Sequence, residues 1–327
     1  RVFSIKHLRV LFGNGDMRND NIVDAIGNTP LVELSSFSPR LGVRIFAKLE
    51  SQNPTGSVKD RIARAMVRAA EKDGILSHEK TIIEPTSGNT GISLAMVTRR
   101  LGYRFTAVMP ENVGIERTQL LKAYGADIVY SPGAGGTNQA IEVAKKLAES
   151  SDRYVMLYQY GNAANPGAHY ETTGPEIINE LPSISHFVAG LGTGGTLMGT
   201  GRRLKEHKDT IKIIAAVPEP DDRIQGLRSL EEGFVPPILD LNLLDARMMI
   251  TGEDSFRMTD KLLRDEGVFA GVSSGAVLAA ALKTAQKLEE ANIVCLFADG
   301  GWKYLSTGLW ERDYDELQES VEGKLWW

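Results

Sequence analysis

Short β-branched runs alternate with longer amphipathic stretches along most of this chain, and that alternation constrains the fold more than any other feature. Strands are expected over residues 44–49, 81–84, 105–109, 127–130, 186–189, 212–217 and 293–298. Helices are expected over 59–73, 91–101, 115–124, 136–149, 172–180, 195–205, 255–266 and 274–288. Alternation of this kind builds parallel sheets with helices on both faces, an α/β architecture. Gly125 supplies a left-handed stop for the helix over 115–124, and Pro236-Pro237 opens an irregular stretch to about Arg247. In open α/β sheets, ligands bind beyond the carboxyl ends of strands, where loops meet helix N-termini. Two glycine-rich segments fall there, Thr86-Ser87-Gly88-Asn89-Thr90-Gly91 and Gly190-Leu191-Gly192-Thr193-Gly194-Gly195-Thr196.

The length of 327 residues allows two domains and a large core. With 37 basic against 42 acidic residues the net charge is −5, and no basic run supports nucleic-acid binding. No apolar run approaches the length that crosses a bilayer. Residues 1–16 lack the apolar core and cleavage site of a signal peptide and read as an extension before Met17, so a cytoplasmic protein is expected. The one cysteine, Cys295, lies in an apolar run and reads as a buried strand thiol; it excludes an intrachain disulfide and a multi-cysteine metal site. His78, His186 and His207 have no metal-ligand spacing, and His169, near residues 162–166, is expected to pack locally. No metal is expected.

Three segments carry candidate chemistry. Lys59 stands in Asn53-Pro54-Thr55-Gly56-Ser57-Val58-Lys59-Asp60-Arg61, a turn that opens a helix. The positive helix end disfavours an ammonium and lowers its pKa, and a neutral amine is the form that attacks an aldehyde. The Gly190–Thr196 segment lets backbone amides approach a phosphate closely, with hydroxyls from Thr193 and Thr196. Its Gly190-x-Gly192-x-x-Gly195 pattern, with Glu219 after the next strand, also suits a dinucleotide, so a nicotinamide dehydrogenase stays open at this point, as does a purely structural turn. The Thr86–Gly91 loop offers hydroxyls and amides to a carboxylate, or simply caps a helix.

Taken together, Asn28-Thr29-Pro30-Leu31, residues 53–61, 84–91 and 192–196, Gly271-Val272-Ser273-Ser274-Gly275 and Tyr304-Leu305-Ser306-Thr307 resemble the cysteine synthase family, closest to cysteine synthase B or O-phosphoserine sulfhydrylase. The resemblance runs in order and with the family's spacing from about Asn21 to about Leu309. It implies fold type II of the pyridoxal-phosphate enzymes, similar to the tryptophan synthase β subunit, with two open twisted sheets flanked by helices. A smaller mobile domain over 60–159 is expected, a larger one over 17–59 plus 160–312, and a tail over 313–327. The resemblance implies pyridoxal 5′-phosphate as cofactor and Lys59 as its Schiff-base lysine. Asn89 would bond the 3′-hydroxyl, Gly192, Thr193, Gly194, Gly195 and Thr196 would hold the phosphate, and Ser273 would face the pyridine nitrogen. Thr86, Ser87, Asn89, Thr90 and Gln159 would line the substrate site, with the carboxylate on Thr86, Ser87, Thr90 and Gln159. A homodimer follows from the resemblance alone.

The implied reaction is β-replacement through an α-aminoacrylate, ending in L-cysteine. Two basic candidates, Arg223 and Arg228, follow the strand over 212–217, and Arg228, before Glu232-Gly233-Phe234-Val235-Pro236, stands where family members that use O-phosphoserine carry an arginine. A guanidinium binds phosphate through its planar fork. Asp299-Gly300-Gly301-Trp302-Lys303 departs from the Ser-Gly-Glu-Arg type segment common in acetylserine enzymes. O-phospho-L-serine is therefore the expected substrate, with O-acetyl-L-serine the alternative. The terminal Trp326-Trp327 resembles a tail that enters the active site in the phosphoserine branch, where a small thiocarboxylated carrier protein donates sulfur. A non-catalytic scaffold that kept the fold is the remaining reading. No haem-binding extension or regulatory module points to cystathionine β-synthase.

Overall fold

The structure is a computed structural model and describes residues 18–312 apart from Ser87 and Asp221, together with Tyr314 and Glu316. The expected extension over 1–16 lies outside the described residues, as does nearly all of the tail over 313–327. Within them run strands β1 (Leu31–Glu33), β2 (Val43–Leu49), β3 (Thr81–Pro85), β4 (Arg104–Pro110), β5 (Asp127–Ser131), β6 (Tyr154–Met156), β7 (His186–Gly190), β8 (Lys212–Pro218), β9 (Ala246–Ile250) and β10 (Ala291–Phe297). The helices are α1 (Lys59–Lys72), α2 (Asn89–Leu101), α3 (Ile115–Ala123), α4 (Gly136–Glu149), α5 (Ala164–Ala168), α6 (Gly174–Glu180), α7 (Gly195–His207), α8 (Gly252–Glu266) and α9 (Val272–Ala285).

The strands form two sheets, one ordered β1-β2-β10-β7-β8-β9 and the other β5-β4-β3-β6. Every pairing is parallel except that of β1 with β2. Central strands such as β3, β4, β8 and β10 are buried almost end to end, because helices cover both faces. Alternation shows this directly in β3. Ile82 joins Met66 of α1 and Leu94 of α2, while the next residue, Ile83, packs with Ala140 and Ala144 of α4 on the opposite face. In the larger sheet, Ile293 and Cys295 pack with the alanine-rich α9, and Val294 and Leu296 pack with Leu197 and Met198 of α7.

Helix α1 buries Ile62, Ala63, Met66, Val67 and Ala70, a stripe three to four residues apart that fixes which side faces the sheet. Gly125 takes the left-handed conformation expected of it, φ 81°, just after α3. The expected irregular stretch toward Arg247 holds β9 at its end, and β1 and β6 were not expected from sequence. The helix anticipated over 172–180 begins instead as a wide π turn, His169–Thr173, and becomes α-helical at Gly174. Pro175 has no N–H for the usual bond four residues back, which favours the wider turn.

Candidate active site

Lys59 is the first residue of α1, and the turn before it is braced from several sides. Asn53 Oδ1 accepts from the Gly27 amide at 2.9 Å, and Asn53 Nδ2 donates to Glu50 Oε2 at 2.8 Å. Val58 N donates to Ala298 O at 2.8 Å, stitching the turn to the segment after β10. Gly56 has φ 77°, and a Cβ there would come 2.3 Å from the Trp302 ring, so the position accepts only glycine. Lys59 lines a cleft of about 350 Å³ and also a small adjoining cavity of about 30 Å³. Burial lowers its pKa; Asp299 and Glu50 act against that but do not cancel it. The direction is the one expected from sequence, but burial is its leading cause rather than the helix end.

Thr86 and Thr90 follow the carboxyl end of β3 and line the same cleft. The Thr86 hydroxyl oxygen accepts from the amides of Gly88 and Gly91, at 3.2 and 3.1 Å, so the loop does cap the start of α2, through Thr86. Thr90 Oγ1 donates to Gln159 Oε1 at 2.7 Å, and Gln159 Nε2 donates to Pro85 O at 3.2 Å. Gln159 is held in turn by Glu84, whose carboxyl accepts from the amides of Tyr158 and Gln159 at 2.7 and 2.9 Å. Burial pushes the Glu84 pKa up to about 8 against those two bonds. Ser87 lies outside the described residues.

The second glycine loop joins β7 to α7. Gly194 has φ 90° directly before the helix, and Thr193 Oγ1 accepts from Gly195 N at 3.3 Å and from Asn165 Nδ2 at 3.1 Å. Gly192, Thr193, Gly194 and Thr196 line the smaller cavity together with Lys59 and Ser273, the second residue of α9. A Cβ on Gly195 would come 1.8 Å from Asn165 Oδ1. Thr196 Oγ1 lies 3.2 Å from His169 Nε2, and His169 Nδ1 lies 2.9 Å from Thr173 Oγ1, so the local packing expected of this histidine includes a contact with the loop.

Three arginines contribute to the lining of the cleft, Arg228, Arg223 and Arg117. The Arg228 guanidinium lies 4.8 Å from the Phe234 ring centroid and 5.5 Å from that of Tyr160, and its Nη1 donates to Asn138 Oδ1 at 3.3 Å. Sequence reasoning singled out Arg223 and Arg228 but missed Arg117, on α3, and Asn138, on α4, because nothing local marks either as facing a ligand. Asn89 meets the chain's other end: it bonds Asp299 at 2.7 Å and Lys303 at 2.6 Å. Among the described residues no cluster of His, Cys, Asp and Glu could hold a metal, and no helix is long and apolar enough to cross a membrane.

Residues 22–299 match the family described as "Pyridoxal-phosphate dependent enzyme". The chain is 43% identical over 302 residues to a probable cysteine synthase of Bacillus subtilis, covering 89% of this chain and 97% of that protein. Among solved structures it is similar to cysteine synthase (OASS) from Entamoeba histolytica, with 36% identity, a TM-score of 0.86 and coverage of 95% and 97% of the two chains. It is similar too to O-acetyl serine sulfhydrylase isoform 3 of the same organism, at 34% identity, TM-score 0.84 and coverage of 96% and 99%. The donor set fits the cofactor that the family name gives. A lysine of lowered pKa shares a cavity with a glycine loop that opens the 13-residue helix α7, and with two threonine hydroxyls and a serine. The chain belongs to the pyridoxal-phosphate dependent enzyme family, as a cysteine synthase-like member of fold type II.

Proposed function

We propose that this chain makes L-cysteine by β-replacement on O-phospho-L-serine, with sulfide or the thiocarboxylate of a small carrier protein as sulfur donor. The observation that carries the reading is the place of Arg228, which lines the same cleft as Lys59 and sits against Tyr160 and Phe234, with Arg117 and Arg223 also among the lining residues. A phosphate leaving group brings up to two negative charges and paired oxygens, which suit a planar guanidinium. The ester of acetylserine is neutral and needs no such guanidinium.

When bound, pyridoxal phosphate supplies an aldehyde for amines to condense with and a π-system that takes up the electron pair left at the substrate α-carbon. The protein supplies the rest. Lys59 Nζ, its pKa lowered by burial, accepts the α-proton. Thr86, Thr90 and Gln159, with Ser87, bind the substrate carboxylate, and the Thr90–Gln159 bond aligns two of them beforehand. Gly192, Thr193, Gly194, Gly195 and Thr196 would hold the cofactor phosphate, Ser273 would face the ring nitrogen and Asn89 would meet the 3′-oxygen. Residues 60–159 act as a smaller mobile domain that closes on the carboxylate, and the working form is a homodimer.

The test compares kcat/KM for phosphoserine and acetylserine, with sulfide, in the wild type and in Arg228→Ala. The substitution is expected to lower the phosphoserine value about 10- to 100-fold, the range of a charge-assisted hydrogen bond, and to leave the acetylserine value nearly unchanged. A constant ratio of the two would remove the assignment. The second reading, an O-acetylserine sulfhydrylase, is favoured by the name of the similar Entamoeba structure; a higher wild-type kcat/KM for acetylserine selects it. Borohydride reduction followed by peptide mapping tests the chemistry beneath both readings, with the label expected on Lys59.

A further inference from the structure

Asn89 is gripped from two sides by the segment that follows β10. Its Nδ2 donates to Asp299 Oδ2 at 2.7 Å, and its Oδ1 accepts from Lys303 Nζ at 2.6 Å. A carboxylate only accepts, so Asp299 fixes which end of the amide carries the N–H groups, and Lys303 Nζ, whose pKa burial lowers, completes the orientation by donating to the amide oxygen. One N–H of Nδ2 then remains to Asn89, which lines the cleft beside Lys59. Both partners are anchored. Asp299 is 1% exposed and its Oδ2 also accepts from the Tyr304 hydroxyl at 2.7 Å; Lys303 is 7% exposed and its Nζ also reaches Gly56 O at 3.4 Å. The Trp302 ring, between them in sequence, lies against Gly56 and Gly300, where a Cβ would stand 2.3 and 2.1 Å from it.

We infer that Asp299 and Lys303 are positioning residues that fix the Asn89 amide so that it offers an N–H, not a carbonyl oxygen, toward the 3′-oxygen of pyridoxal phosphate. The inference rests on the cofactor reading of the cleft. The 3′-oxygen is phenolic and carries negative charge when ionised, so a donor stabilises it and a carbonyl oxygen repels it. The two ends of an asparagine amide are nearly equal in shape. Without an acceptor on one side and a donor on the other, either could face the ligand. The grip also joins the two sheets, since Asn89 opens α2 on the smaller one and Asp299 and Lys303 follow β10 of the larger.

The test uses the full chain stripped of cofactor and titrated with pyridoxal phosphate, read by intrinsic fluorescence and by the absorbance of the bound cofactor. Asn89→Ala, Asp299→Asn and Lys303→Met are each expected to raise the Kd at least tenfold and to move the absorbance maximum or its pH titration. Lys303→Arg, still a donor only, is expected to stay within threefold of the wild type. Added to Asn89→Ala, either Asp299→Asn or Lys303→Met is expected to change the Kd by less than twofold, because both act through that amide. Equal weakening with or without Asn89, or wild-type Kd and spectra in the single variants, would overturn the inference. Should Asp299→Asn fail to fold, the two Lys303 variants and the Lys303→Met cycle with Asn89→Ala decide alone. An unlabelled Lys59 after borohydride reduction of the wild type would instead remove the cofactor reading itself, so the two failures are distinguishable.

Discussion

Lys59 and Arg61 stand two residues apart at the head of α1, Lys59 half-buried against the cleft and Arg61 fully buried, and the fold treats their charges in opposite ways. Arg61 has no exposed side-chain surface. Its Nε and Nη2 donate to the two oxygens of Glu50 at 2.7 and 2.8 Å, and Nη1 and Nη2 donate to Glu176 at 2.6 and 2.7 Å. Lys48 extends the cluster, 3.1 Å from Glu176 and 3.0 Å from Glu180. Burial by itself would lower the Arg61 pKa, but Glu50 and Glu176 outweigh it and raise it above its usual value. Among the described residues no carboxylate lies within ion-pair distance of Lys59, and burial wins there. Partners rather than depth therefore decide which cation is kept for structure and which is left able to lose its proton.

The contrast is broken or sharpened first by removing each cation in turn. Lys59→Ala is expected to lower kcat/KM about 10³-fold or more, as loss of a proton-transferring group does, while leaving the melting temperature near the wild-type value. Arg61→Met is expected to do the reverse to stability. It leaves Glu50 and Glu176 without their shared partner and costs about 3–5 kcal/mol in denaturant unfolding. A Lys59→Ala protein that unfolds as readily as Arg61→Met would end the distinction.

How much of this was legible in the sequence follows from range. The central strands announce themselves because helices on both faces demand continuous apolar runs, as in Ile213, Ile214, Ala215, Ala216 and Val217 of β8. The three-residue strands β1 and β6 are too short to show a period, and β9, alternately half-buried and exposed, hides behind Arg247. Lys59 and the two glycine loops were found because turn chemistry is local. The Asn89–Asp299 bond spans 210 positions and leaves no local trace, and Arg117 looks like any other helical arginine until the fold turns it into the cleft. The lowered pKa of Lys59 was expected from the helix end. Its leading cause, burial, is a property of the assembled core that no short segment encodes.

Acid probes the structural side of the contrast with a smaller effect. Burial would raise the Glu176 pKa, but the Arg61 guanidinium and then Lys48 bring it down from its ordinary 4.5 to about 2. A carboxylate depressed in the folded state binds its proton less readily there than in the unfolded chain. Its stabilisation is therefore whole above pH 4.5 and drains away as the pH falls toward 2. The loss is on the order of 3 kcal/mol. Denaturant unfolding across that window, wild type minus Glu176→Gln, isolates it. A difference that does not change with pH would show that the Arg61 cluster does not hold this carboxylate ionised.

The smallest effect belongs to the rim of the same cluster and tests whether burial sets the worth of each pair. Glu180 bonds Lys48 through both carboxylate oxygens at 3.0 Å, a geometry as good as that of its neighbours, but its side chain is 36% exposed against 12% for Glu176 and none for Glu50. Solvent screens its charge, and Lys48 keeps Glu176 and the Thr29 carbonyl when it is gone. Glu180→Gln is accordingly expected to cost less than about 1 kcal/mol, with a cost that shrinks further as salt is added. Unfolding curves at low and high ionic strength check both. If Glu180→Gln costs as much as Arg61→Met, or is indifferent to salt, then geometry and not enclosure governs the cluster, and the opposite fates of Lys59 and Arg61 need another cause.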